Sequence, residues 1–307
     1  MAPPLLFFLL GIVAARVRSD LAVPAAIAQG LSIYLLAAIG LKGGWQLREA
    51  GFSGEIAIQL VAAVALGLAL AVIAFLLLAR LTPLERFDRA ALAAHYGSVS
   101  VVTFVTAAEF LTRQGVEYEG QLVAIMALME APAIMVAIWL ARRTPEAAGH
   151  EITHLFASGS VMILLGALLV GILSGSDGRT QTGAFFVDPF AGLLTLFLLE
   201  MGLKAGARLG DFRGMGLGLV AFALYMPLVG AGLGIVTGAA VGLSLGGTTL
   251  LAVLAASASY IAAPAAVRQS IPEANPSYYG TLPLAVTFPF NVTIGIPLYF
   301  ELSRLFT

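Results

Sequence analysis

IGLKGGWQL, Ile39 to Leu47, recurs as MGLKAGARL, Met201 to Leu209, 162 residues further along the chain. More weakly, LLGIVAARVRSD (Leu9 to Asp20) is answered by LVGILSGSD (Leu169 to Asp177) at an offset near 160. At 161, Tyr118 meets Tyr279, Gly97-Ser98 meets Ala258-Ser259, and Glu130 meets Asn291. One aligned pair is chance. Several at nearly one offset, each on a matching apolar span, indicate an internal duplication.

The duplicated units are membrane units. The 307 residues are 60% hydrophobic and 11% charged, with a mean hydropathy of +0.97. Soluble chains carry about 25% charged residues, so this one has too few to coat a water-facing surface. The hydropathy predicts an all-α integral protein with ten spans, near 3–17, 24–41, 55–79, 89–112, 119–141, 155–174, 186–204, 213–239, 247–267 and 278–301. Each half, 1–148 and 149–307, then holds five. An odd number turns the second copy upside down, which gives the inverted repeat common among secondary transporters.

Positive charge sets the expected orientation. Arg16, Arg18, Arg80, Arg86, Arg89, Arg142, Arg143, Lys204, Arg208, Arg213 and Arg268 fall on one side; Lys42, Arg48, Arg113, Arg179 and Arg304 fall on the other. The richer side is expected in the cytoplasm, with both termini outside. The first apolar run carries its positive charge behind it, which fits a genuine span better than a cleaved leader.

Several function classes drop out. There is no cysteine, no basic patch for nucleic acid and no HExxH motif. No pair of midplane carboxylates suggests an intramembrane enzyme. His150 and His154 share one helical face, but only Glu146 or Glu151 could join them on a metal, so a solvated helix start is the simpler reading.

The chemistry gathers in three spans. Span 4 carries HYGSVSVVTF, His95 to Phe104. Asp88 reads as its N-cap, and Gly97 then lies about 14 Å into the bilayer by helix rise. Gly-Ser followed by β-branched residues weakens a helix. A break frees amides that attract anions and carbonyls that bind cations, and it demands a protein-lined cavity. Span 9 repeats the device with Ser257, Ser259, Tyr260 and Pro264. Span 5 places Glu130 mid-membrane, where a carboxylate is costly and points to function, coordinating sodium or carrying a proton. Its repeat partner Asn291 is neutral, with Thr287 and Thr293 nearby. Other charges read blandly: Glu200 and Lys204 as an i, i+4 pair, Lys42 as a helix-end residue that snorkels, Glu109 as solvated, and His95 as a hydrogen-bonded core residue.

YGSVSVVTF, ALMEAP, ASASYIAAPAA and IGLKGG together resemble the SbtA-type sodium-dependent bicarbonate transporters, over nearly the whole chain. The resemblance implies ten spans in an inverted five-plus-five repeat, a core domain moving against a gate domain, a homotrimer, and sodium and bicarbonate bound where the broken core helices meet. It also implies a bacterial inner-membrane location. The long central loop of cyanobacterial members is replaced by Arg142 to His154, which counts against, without excluding, docking of their PII-like regulator. No lysine or arginine falls at the predicted midplane, which suits a small monovalent oxyanion better than a dicarboxylate needing an arginine clamp. The anion is assigned to Gly97, Ser98, Val99, Ser259 and Tyr260, and sodium to Ser100, Thr103, Glu130, Ser257 and Asn291. The rival within transport is a proton-coupled carrier, or a cation/proton antiporter, using Glu130.

Overall fold

The computed structural model describes residues 3–51, 53–142, 159–212, 215–260 and 262–307, and among them every regular element is helical. Among the described residues, eight helices are long and apolar enough to cross a membrane, and two shorter apolar ones, Pro3–Arg16 and Leu245–Ala256, accompany them. Helices are the expected solution, because hydrocarbon offers no partner for an open backbone. His150 and His154, with Glu146 and Glu151, lie outside the described residues, as does the start of the sixth predicted span.

In chain order the helices are α1 (Pro3–Arg16), α2 (Ala25–Ala50), α3 (Gly54–Leu81), α4 (Arg86–Gly97), α5 (Val101–Arg113) and α6 (Leu122–Arg142). Then come α7 (Gly159–Phe186), α8 (Phe190–Arg208), α9 (Leu217–Ala240), α10 (Leu245–Ala256), α11 (Ala262–Ser270) and α12 (Pro276–Ser303). Two helix groups form. In one, α1 packs on α8 and α2 packs on α7. In the other, α3 packs with α4 and α6, α9 packs with α10 and α12, and the α3–α9 and α5–α10 contacts join these sets.

The glycines of IGLKGG and MGLKAG form the seam of the first group. A side chain at Gly44 would strike the backbone of Leu168 and Gly171; one at Gly202 would strike Phe8 and Gly11. The repeated glycines therefore let helix backbones touch, the usual way membrane helices gain contact without a hydrophobic drive between them.

This seam corrects the expected end of the second span. Lys42, Gln46 and Arg48 lower the hydropathy past residue 41, but α2 continues to Ala50 because its glycine face is packed on α7. Lys42 is thus an interior residue of α2, half-buried, with its ammonium 5.6 Å from the centre of the Tyr118 ring. Nor does α7 stop at 174. It kinks at Gly175, whose φ of 56° is open to glycine, and runs on to Phe186. Arg48 donates to the Ile172 and Leu173 carbonyls at 2.9 and 2.5 Å beside that kink.

Two smaller expectations also change. Asp88 is not the N-cap of α4 but sits in its first turn, where its carboxylate accepts from the Asn275 amide at 2.7 Å. Glu109 is held by Arg113 at 2.8 Å instead of standing free in solvent. The Glu200–Lys204 pair forms as expected.

Candidate functional site

Two helices are interrupted, and their interruptions meet. The first gap is Ser98 to Ser100, between α4 and α5; the second opens at Ser257, between α10 and α11. The Ser259 amide donates to the His95 carbonyl at 2.9 Å, and the Ser100 amide donates to Ser257 Oγ at 2.8 Å. Each gap thus closes hydrogen bonds that the other leaves open, as buried backbone requires.

Side chains complete the accounting. Ser100 caps α5 by accepting from the Thr103 amide at 3.3 Å, and Ser259 accepts from the Ala263 amide at 3.2 Å. Ser257 Oγ donates to the Leu254 carbonyl at 2.8 Å. Asn291 Nδ2 donates to the Ala256 carbonyl at 2.9 Å, while its Oδ1 accepts from Tyr299 at 2.8 Å. Asn291 sits in one of two π-helical turns of α12, Pro283–Thr287 and Asn291–Gly295, on either side of Pro289, which has no amide to donate. Such turns favour functional sites because they re-aim side chains.

A cavity lies against this crossing, with about 20 Å³ of room for the centres of water-sized species. One water molecule needs roughly 10–15 Å³, so the space holds one or two water-sized species. Its wall comes from both helix groups: Ser32, Leu35 and Leu36 of α2, Phe197 of α8, and across from them Val99 to Val102, Val105, Glu130, Ser259 and Tyr260. Val101 and Val102 open α5, so their amides lack intrahelical acceptors. Glu130 is 6% exposed, and among the described residues it has no hydrogen-bond or ion-pair partner.

Half of the residues expected at the site line this cavity: Val99, Ser100, Glu130, Ser259 and Tyr260. Ser257 and Asn291 stand behind them as braces of the second gap. Thr103 is tied to the first gap through its amide. Gly97 lies against α3, where a side chain would press on the Ala71 backbone at 2.8–2.9 Å. Ser98 is buried beside it, and its Oγ has no partner among the described residues. His95 is a core residue: Nδ1 donates to the Ala91 carbonyl at 2.7 Å, which fixes the tautomer, and the ring lies 5.2 Å from that of Tyr279.

Sequence reasoning missed Ser32, Leu35, Leu36 and Phe197. They lie on unbroken helices with ordinary apolar patterns, and only packing brings them to the site. Ser32, Phe197 and Tyr260 also line a chamber of about 770 Å³ that carries Glu200, Lys204 and Arg208. On the opposite side are a throat of about 90 Å³, lined by Ala38, Lys42, Glu109 and Tyr118, and a chamber of about 810 Å³ that shares Lys42 and Tyr118 with it. The throat and the central cavity have no lining residue in common. A small cavity, largely apolar but bearing Glu130, therefore sits between two larger chambers with charged residues in their walls and shares wall residues with one of them, an arrangement suited to carrying small solutes.

Comparison with curated proteins found no match. A family model does match, over residues 3–304, which takes in both halves and both gaps; its description is Na+-dependent bicarbonate transporter superfamily. The chain belongs to the Na+-dependent bicarbonate transporter superfamily.

Proposed function

We propose that the chain imports bicarbonate coupled to sodium, by alternating access. One observation carries this: an unpaired buried carboxylate, Glu130, shares a small cavity with the first amides of α5. An uncompensated buried charge is costly. A sodium ion held by Glu130 and Ser100 would offset it, with Thr103, Ser257 and Asn291 shaping that side. The anion would lie on the amides that follow the first gap, beside Val99, Ser259 and Tyr260, with Gly97 and Ser98 setting the backbone. Hard oxygen donors suit sodium, and helix-start amides suit an oxyanion.

The two helix groups are the gate (α1, α2, α7, α8) and the core (α3–α6, α9–α12). The paired packing of α1 with α8 and of α2 with α7 is what an inverted five-plus-five repeat of ten spans would produce. The central cavity shares Ser32, Phe197 and Tyr260 with the chamber bearing Lys204 and Arg208, the side that the charge bias puts in the cytoplasm, which supports an inward-facing state. The family resemblance carries the further proposals of a homotrimer in the bacterial inner membrane.

Calorimetry on the purified protein tests the paired site. Each solute should raise the other's affinity by the same factor. Equal bicarbonate affinity in sodium and in choline would remove the coupling.

A further inference from the structure

Lys42 and Lys204 occupy the same place in the two copies of the repeated motif, yet they guard opposite chambers. Their surroundings differ at one matched position. Glu200 stands four residues before Lys204 and pairs with it. Ala38 stands at the equivalent place before Lys42 and lines the throat. Among the described residues, Lys42 has no carboxylate within ion-pair reach, and its ammonium lies over the Tyr118 ring. The nearby Glu109 is taken by Arg113 at 2.8 Å. The wider chamber beyond has a surplus of carboxylates, Glu49, Glu55, Glu117 and Glu119 against Lys42 and Arg179. Of these two cations, Lys42 is the one that also lines the throat, at the end of a mostly acidic approach.

We propose that Lys42 is a loading station for the anion at the throat, and that Glu200 neutralises its counterpart Lys204 so that the anion is not held after release. The inference rests on the transport reading above. A half-buried ammonium holds a small oxyanion by charge-assisted hydrogen bonds stronger than those available in open water. An ammonium already paired with a carboxylate loses most of that attraction. The two mouths thus differ in anion retention although the motif is shared, which biases the carrier toward uptake from the Lys42 side.

The test is initial uptake of labelled bicarbonate into proteoliposomes, counting only carriers whose Lys42 side faces out, at saturating sodium and constant ionic strength. Lys42→Met keeps the packing over Tyr118 and should raise the bicarbonate KM about tenfold with kcat nearly unchanged. Lys42→Arg should restore the KM. Ala38→Glu should mimic the loss by giving Lys42 the partner that Lys204 has. Glu200→Gln, which frees Lys204, should lower kcat by slowing release, and should leave the external KM unchanged or lower. A Lys42→Met carrier with wild-type KM, or a Lys42→Arg carrier as impaired as Lys42→Met, overturns the loading station. No uptake by the wild type would instead overturn the transport reading itself.

Discussion

The Ser259 amide and the His95 carbonyl lie 2.9 Å apart, each at the interruption of a different helix. The contact ties residue 259 of one half to residue 95 of the other. Neither gap is a self-sufficient turn, so the site exists only while both halves are in register.

Ser257→Ala tests that interdependence. It removes the acceptor of the Ser100 amide and the donor to the Leu254 carbonyl. A buried group left unpaired costs about 1–3 kcal/mol. The variant should melt several degrees lower and bind sodium and bicarbonate more weakly together. Weakening of one solute alone in calorimetry would mean the gaps are independent.

Glu130→Gln separates charge from shape. The amide is nearly isosteric but cannot balance a cation. Sodium affinity should fall at least about tenfold, since a lost ionic contact in a buried site is worth more than about 1.4 kcal/mol. Melting temperature should hold or rise, because an unpaired buried charge is gone. A fall in stability with unchanged sodium affinity would make Glu130 a structural residue.

Gly202→Val and Gly44→Val probe the seam. Each adds atoms against a neighbouring helix backbone, Phe8 or Leu168. Overpacking of this kind costs about 1–3 kcal/mol. Both variants should melt lower in detergent, while Gly192→Val, where nothing lies within 4 Å, should not.

Acid should loosen one clamp on the lysine- and arginine-rich face. Arg142 holds both Glu273 oxygens at 2.7 and 2.8 Å and reaches the Ser270 carbonyl, tying α6 to the end of α11. The guanidinium keeps the Glu273 carboxyl below its ordinary value of 4.5. A depressed folded-state value means the clamp is at full strength above pH 4.5 and is lost as pH falls through the lower value. The pair is exposed, so Glu273→Gln should lower the melting point at neutral pH by only about 1–2 °C. The difference from wild type should vanish in acid; a difference that grew with acidity would contradict a lowered Glu273 value.

Much of this was legible in the sequence because it rests on local chemistry. HYGSVSVVTF and ASASYIAAPAA broke where glycine, serine and β-branched residues weaken a helix, and Glu130 stood out by its charge in an apolar run. The repeated glycines pointed to a duplication, though their task of joining α1 to α8 and α2 to α7 needed the packing. Ser32 and Phe197 could not be read, since an unbroken apolar helix does not say which face meets a cavity. The place of Lys42 inside α2 is hidden from hydropathy for a related reason. Hydropathy ends a span at the first cluster of polar residues, whereas α2 continues as long as a neighbour covers its glycine face.

The most direct test is uptake of labelled bicarbonate by wild-type protein in proteoliposomes, with an inward sodium gradient and with choline in its place. Concentrative uptake in sodium and none in choline is the predicted result. Equal uptake in both would contradict sodium-coupled transport at the crossing of the two broken helices.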